Sequence, residues 1–276
     1  MIPVVAGSNP VGHPKFPRKW QRPRLDCAGT SATACAALTS AALAQMAANV
    51  SGAIEARDPE YLHQLRVGIR RLRTVLRVFK AKRLERRLRK RTKALGEARD
   101  WDVFVERFGK GKARHRAAQA RCREVLSSAE FWAFFVETQH WARASSRQGG
   151  APLVAFATRA LDRLHRKVLK RARGVDWRKP KRRHAVRIAV RRLRYGCDFF
   201  SPCFRDAGRY LRGLSDLQDL LGDLNDIAVA RRFGGPEAAL EQRERALIRE
   251  LAPAWRAFER RPRFWAGKER LPVTAS

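Results

Sequence analysis

Leu62, Leu65, Ile69, Leu72, Leu76 and Phe79 recur at steps of three and four, and His63, Arg66, Arg70, Arg73 and Arg77 recur beside them at similar steps. Only a helix keeps both sets on single faces, so the segment predicts an amphipathic helix carrying an apolar and a basic stripe about a quarter turn apart. Similar patterning runs along most of the chain: long Ala, Leu and Arg stretches, few β-branched clusters, and helix starts at Asp58-Pro59, Ser201-Pro202 and Gly235-Pro236. Helices are predicted over 30–55, 59–81, 83–95, 100–108, 112–145 with a break near Ser127, 152–173, 180–200, 203–221, 226–232 and 236–258, with no strand. The expected fold class is all-α.

The pattern also repeats. His63-Gln-Leu-Arg66-Val-Gly-Ile-Arg70-Arg71-Leu72-Arg73 returns 121 positions later as His184-Ala-Val-Arg187-Ile-Ala-Val-Arg191-Arg192-Leu193-Arg194, and each run leads to a phenylalanine, Phe79 or Phe200. Leu95-Gly96-Glu97-Ala98-Arg99-Asp100 is answered at an offset of 126 by Leu221-Gly222-Asp223-Leu224-Asn225-Asp226. A tandem duplication of a helical unit follows, hinged near Ser145 to Pro152. The expected organisation is a basic, Pro-rich flexible arm over 1–27, a first repeat over 28–148, a second over 149–265 and a tail over 266–276.

Composition changes the picture through its charge. Lys plus Arg number 60 against 26 Asp plus Glu, a formal net charge of +34, and 47 of the 60 are Arg. Such self-repulsion calls for a polyanionic partner, and the planar guanidinium fork favours phosphate oxygens. The five cysteines form no CxxC pair, which signals neither a disulfide framework nor a zinc knuckle and favours a reducing compartment. Residues 27–54 carry no charge and hold Ala42-Leu43-Ala44, the pattern of a signal-peptidase site. Their larger apolar residues recur at helical steps, so a packed helix is the better reading.

The binding candidates are the stripe His63, Arg66, Arg70, Arg73 and Arg77, its repeat His184, Arg187, Arg191 and Arg194, the following run Arg83, Arg86, Lys90 and Lys93, and Arg209 and Arg212, which match Arg83 and Arg86 across the repeat. Arg66 to Arg77 spans about 16 Å of helix, suited to a linear polyanion. Neither histidine has a second His or Cys at ligand spacing on its helix, so both are read as donors to phosphate and not as metal ligands. Asp100, Asp102 and Asp226 are read as caps or partners of arginine, and Trp255, Phe258, Phe264 and Trp265 as an apolar tail docked on a bundle.

Asp58-Pro-Glu-Tyr-Leu-His63-Gln-Leu-Arg66-Val-Gly-Ile-Arg70-Arg71-Leu72-Arg73, the run from His184 to Tyr195, Ala98 to Val103 and Leu217 to Asp226 together resemble the landmarks of the CHAD family, the conserved histidine α-helical domain, over about residues 28–265. The resemblance implies two four-helix bundles related by pseudo-twofold symmetry, a basic channel at their junction, and binding of inorganic polyphosphate, with association to polyphosphate granules in the cytoplasm. It carries binding roles to His63, Arg66, Arg70, Arg73, His184, Arg187, Arg191 and Arg194. Asp198 and Ser215-Asp216 stand where basic residues are common in the family. The expected protein is a non-enzymatic polyphosphate binder without cofactor, metal or membrane partner. Nucleic acid is the competing ligand, disfavoured because the stripes interleave no aromatics among their basic positions. An enzyme acting on phosphoanhydrides is disfavoured because Gly109-Lys110-Gly111-Lys112-Ala113 lacks phosphate-loop spacing and no Glu-x-Glu-x-Lys run occurs.

Overall fold

The computed structural model describes residues 16–267. Ten α-helices follow one another: α1 (Ser31–Glu55), α2 (Pro59–Val78), α3 (Lys82–Arg91), α4 (Lys93–Phe108), α5 (Lys112–Ser127), α6 (Ala129–Arg147), α7 (Leu153–Ala172), α8 (Pro180–Phe200), α9 (Ala207–Arg232) and α10 (Glu237–Glu259), with a 3-10 turn at Ser201–Cys203. No strand occurs among the described residues, and the all-α class holds. The Asp58 carboxylate accepts from Glu60 N ahead of Pro59, and Ser128 caps α6 where the chain breaks after α5.

Two predicted breaks are wrong. The chain interrupts at Thr92 and then runs as one helix through Gly96 to Phe108, and 203–221 and 226–232 are parts of the single helix α9. Gly and Asp at 96–100 and 222–226 read as loop signals in sequence. In the structure they are polar because they face a groove, while Leu95 and Ala98 are buried in the core and Leu221 and Leu224 form the groove's apolar floor on α9.

α1, α2 and α4 to α6 pack together, α7 to α10 pack in succession, and α2 against α8 and α1 against α7 join the two sets. The helices that share the repeat therefore meet at the centre. Leu62, Leu65, Ile69, Leu72 and Leu76 are buried as the apolar stripe requires. Phe79 stacks on Phe156 of α7 with ring centroids 4.9 Å apart, and Phe156 in turn meets Phe200, so the terminal phenylalanines of both runs share one cluster. Ser31 N donates to Ala151 O (2.8 Å) and Leu153 N to Gly29 O (2.9 Å), which starts α1 and α7 side by side.

α1 is long and apolar enough to cross a bilayer by composition, yet its Leu38, Leu43, Met46 and Val50 are buried against its neighbours. Its approach to α2 is close: a Cβ on Gly68 would stand 2.8 Å from Met46 Cγ and 3.3 Å from Met46 N. Gly68→Val should cost roughly 1–3 kcal/mol in chemical denaturation, with an unchanged midpoint contradicting this contact.

The arm expected over 1–27 is fixed where the structure describes it; residues 1–15 lie outside the described residues, as do 268–276 of the tail. Arg18 N donates to Asn49 Oδ1 (3.0 Å) and Asn49 Nδ2 to Arg18 O (2.9 Å), a two-way clamp on α1. Trp20 packs on Phe199, and the buried Arg71 guanidinium lies between the Trp20 and Tyr195 rings at 4.5 and 4.8 Å while pairing with Asp198 at 3.1 Å. Cys27 and Cys203 form a disulfide, which corrects the expectation of no disulfide. Their separation of 176 residues hid the pairing from any local spacing rule, and the reducing compartment loses the support it drew from unpaired cysteines. Cys35, Cys122 and Cys197 remain buried thiols.

Candidate functional site

A groove of about 1080 Å³ opens between the two sets of helices. Its walls come from α2, α4, α8 and α9. α2 meets α8 on one side, and on the other Trp101 of α4 stacks on Phe233 just after α9 at 3.9 Å and 4° between rings. Asp100 pairs with Arg232 next to this stack at 3.3 Å. α4 also packs on α2, and α9 on α8, so the four helices stand around the groove, which stays open to solvent.

At its centre Arg66 and Arg70 of α2 face Arg187 and Arg191 of α8. Among the described residues none of these four guanidiniums joins an ion pair with a carboxylate, although 17 such pairs are made by the described side chains, mostly of other arginines. Arg66 Nη1 donates to Leu95 O at 2.6 Å, and Gly96 leaves room for it, since a Cβ there would lie 3.2 Å from the same nitrogen. Arg70 bonds the Tyr195 hydroxyl while its Nε is buried without a partner. Burial and then mutual repulsion among these groups push Arg191 well below the ordinary guanidinium value. Burial, against the pull of Asp100, brings Arg66 to about 10. Guanidinium groups are not deprotonated in proteins, so the free protein holds concentrated, partly desolvated positive charge.

Both histidines line the groove. His184 Nδ1 lies 3.0 Å from Asn225 Oδ1 and, as the donor in that bond, leaves Nε2 to donate outward only when the ring is protonated. Burial foremost, with Arg70, Arg99 and Arg66 adding to it against Glu60, holds His63 below the ordinary imidazole value. The α9 wall is different, presenting Asp219, Asp223 and Asp226. Negative charge on this wall leaves α2 and α8 as the sides of the groove with excess positive charge.

Of the residues singled out in the sequence, His63, Arg66, Arg70, Arg73, Lys93, His184, Arg187 and Arg191 line this groove. Arg73 also lies 2.8 Å from buried Glu85 of α3, and Arg77, outside the lining, pairs with the same carboxylate at 3.0 Å. Arg77 is therefore no extra contact of the first half. Arg83, Arg86 and Lys90 stand exposed on α3 outside the groove, Arg194 lies toward buried Arg71, and Arg209 and Arg212 line a different cavity. Sequence reading missed Arg99 and Arg107, which continue Gly96 at steps of three and eight along α4, and Arg89, Lys181 and Arg232. The α4 stripe becomes visible once 93–108 is read as one helix. Asp102 is buried and accepts from Gln119 Nε2 at 2.5 Å, with His115 Nε2 2.7 Å away, tying α4 to α5. Asp226 stands instead on the groove wall.

A family model described as CHAD domain matches residues 37–234. The crystal structure of the CHAD domain from the plant Ricinus communis superposes with a TM-score of 0.74 at 26% identity, covering 91% of this chain and 98% of that one. No curated protein matches the chain.

Proposed function

The chain belongs to the CHAD domain family, and from that premise we propose that it binds inorganic polyphosphate in the central groove without turning it over. One observation carries the reading: Arg66, Arg70, Arg187 and Arg191 converge from the duplicated helices with their charges unpaired. Asp100 and Asp226 act on Arg66 and Arg187 only from beyond ion-pair distance, so partly desolvated charge remains for a ligand to offset. A linear phosphate chain places anionic oxygens at every unit and suits forks arriving from two crossed helices. The expectation of no turnover rests on the sequence, which lacks phosphate-loop spacing; of the groove's carboxylates Asp100 is engaged by Arg232 and Asp223 by Arg243, while Asp219 and Asp226 face the cavity. The readout is competition at physiological salt, in which long-chain polyphosphate should displace single- or double-stranded nucleic acid of equal charge. Equal competition by nucleic acid overturns the proposal, and orthophosphate release above a heat-killed control overturns its non-enzymatic part.

Salt dependence follows from the same contacts. If the four central arginines each neutralise one phosphate, log Kd should rise against log salt with a slope of roughly 3, taking about 0.7 per phosphate for a single-stranded polyanion. A flat dependence contradicts an ionic site.

His63 sets the pH dependence. Depressed in the free protein, it is largely neutral at pH 7. A polyanion favours the imidazolium and raises its pKa, so binding takes up a proton and affinity strengthens as pH falls through the range of roughly 8 to 5 in which imidazole titrates. Calorimetry in two buffers of different ionisation heat should register proton uptake that His63→Gln diminishes. The same uptake in both proteins would remove His63 from the site.

A further inference from the structure

Arg209 and Arg212 leave the groove for a cavity of about 560 Å³ at the start of α9. Five arginines line it: Arg205, Arg209 and Arg212 from the entrance to α9, and Arg261 and Arg263 from the segment after α10. Arg209 and Arg212 stand nine and six residues before Gln218, where the groove lining on α9 begins, about 14 and 9 Å along the helix.

The five are not equivalent. Arg263 pairs with Asp162 at 2.7 Å, which also accepts from Trp265 Nε1 at 2.9 Å and fixes this segment on α7. Arg261 Nη1 donates to Arg209 O at 2.5 Å, and its side chain passes over Gly213, where a Cβ would come within 2.7 Å of Nε. Arg261 is therefore held in place by backbone, with guanidinium donors to spare. Arg205, Arg209 and Arg212 join no ion pair among the described residues, and Asp206 is the one carboxylate of the lining. Pro262, Phe264 and buried Tyr210 supply an apolar side, while Arg205, Arg209 and Arg212 are exposed and free to close on a ligand. Guanidiniums in place of lysines favour a ligand read by forked donors to oxygen.

We propose that this cavity is a second anion site, separate from the groove, that takes a short run of phosphoryl groups. Free oligophosphate and the end of a longer chain present the same chemistry there. The cavity has about half the volume of the groove and its cations surround a compact space instead of following an axis. Its ligand is short.

The experiment is calorimetric titration with tripolyphosphate of the wild type, of Arg209→Ala/Arg212→Ala, and of Arg70→Ala/Arg191→Ala, each checked by thermal melting. Arg209 and Arg212 are exposed, so their loss should leave the fold intact. The groove variant should retain one tripolyphosphate site per chain, and adding Arg209→Ala/Arg212→Ala to it should weaken that site at least tenfold. Unchanged binding in the combined variant overturns the proposal, as does complete loss in the groove variant alone or equal displacement by sulfate at matched ionic strength. Long-chain titration of wild type and Arg209→Ala/Arg212→Ala separates the sources: a long-chain affinity lowered by the substitutions shows that a chain end reaches the cavity, and an unaltered one assigns it to free oligophosphate. Loss of long-chain binding in the groove variant is read separately, so failure of the groove reading and failure of this one are distinguishable.

Discussion

Arg70→Ala/Arg191→Ala should lower affinity for long-chain polyphosphate by more than a hundredfold while leaving the ligand-free protein at least as stable as the wild type. Each side chain would contribute charge-assisted hydrogen bonds of about 1.5–3 kcal/mol, and two such losses exceed two decades in Kd. The stability expectation has the opposite sign from that of an ordinary buried substitution. Arg191 has no carboxylate partner, and Arg70 Nε is buried without a hydrogen bond, so removing both relieves desolvation and mutual repulsion. Arg83→Ala/Arg86→Ala on exposed α3 should change affinity less than threefold. Titration and melting of the two variants decide the matter. A groove variant that binds within threefold of wild type, or that melts well below it, removes the central arginines from the ligand's path.

Reduction of the Cys27–Cys203 bond, or Cys27→Ser/Cys203→Ser, should cost roughly 2–5 kcal/mol, because the bond removes the closure entropy of a very long loop from the unfolded chain. At roughly 2–4 °C per kcal/mol the melting midpoint should fall by about 5–15 °C. Thiol titration gives an internal control. Burial pushes Cys35 and Cys122 up to about 12 and Cys197 well above its ordinary value, so the native oxidised protein should show no reactive thiol and the reduced one that of half-buried Cys27, since Cys203 is itself buried. A midpoint insensitive to reductant would mean that the strap from Arg18 to Trp20 holds through Asn49 and Phe199 alone.

The sequence made the centre of the fold readable because repetition and helical period acted on the same residues. The stripe and its copy locate α2 and α8 and, with them, seven of the eight groove residues foreseen, His63, Arg66, Arg70, Arg73, His184, Arg187 and Arg191. Its failures have a common physical origin. Gly96 to Asp100 and Gly222 to Asp226 look like loops because small and polar residues serve a ligand groove as well as a turn. Breaking the helices there hid the α4 stripe of Arg99 and Arg107. The pairs of Arg73 and Arg77 with Glu85 were not visible because Glu85 reaches them from the next helix, outside the i,i+4 range in which charge pairing can be read from sequence. Asp198, which breaks the basic pattern of the second repeat, becomes intelligible as the partner of buried Arg71 across the α2 to α8 contact. The Cys27–Cys203 bond and the strap were out of reach because their partners lie far along the chain.

The contacts of Trp101 with Phe233 and of Asp100 with Arg232 tie the first helical set to the second beside the groove. A polyanion lying on α2 and α8 would bridge the same two sets, so this clasp and the ligand should stiffen one another. Trp101→Ala should then loosen the groove in the free protein and lower affinity for polyphosphate without removing any cation that lines it.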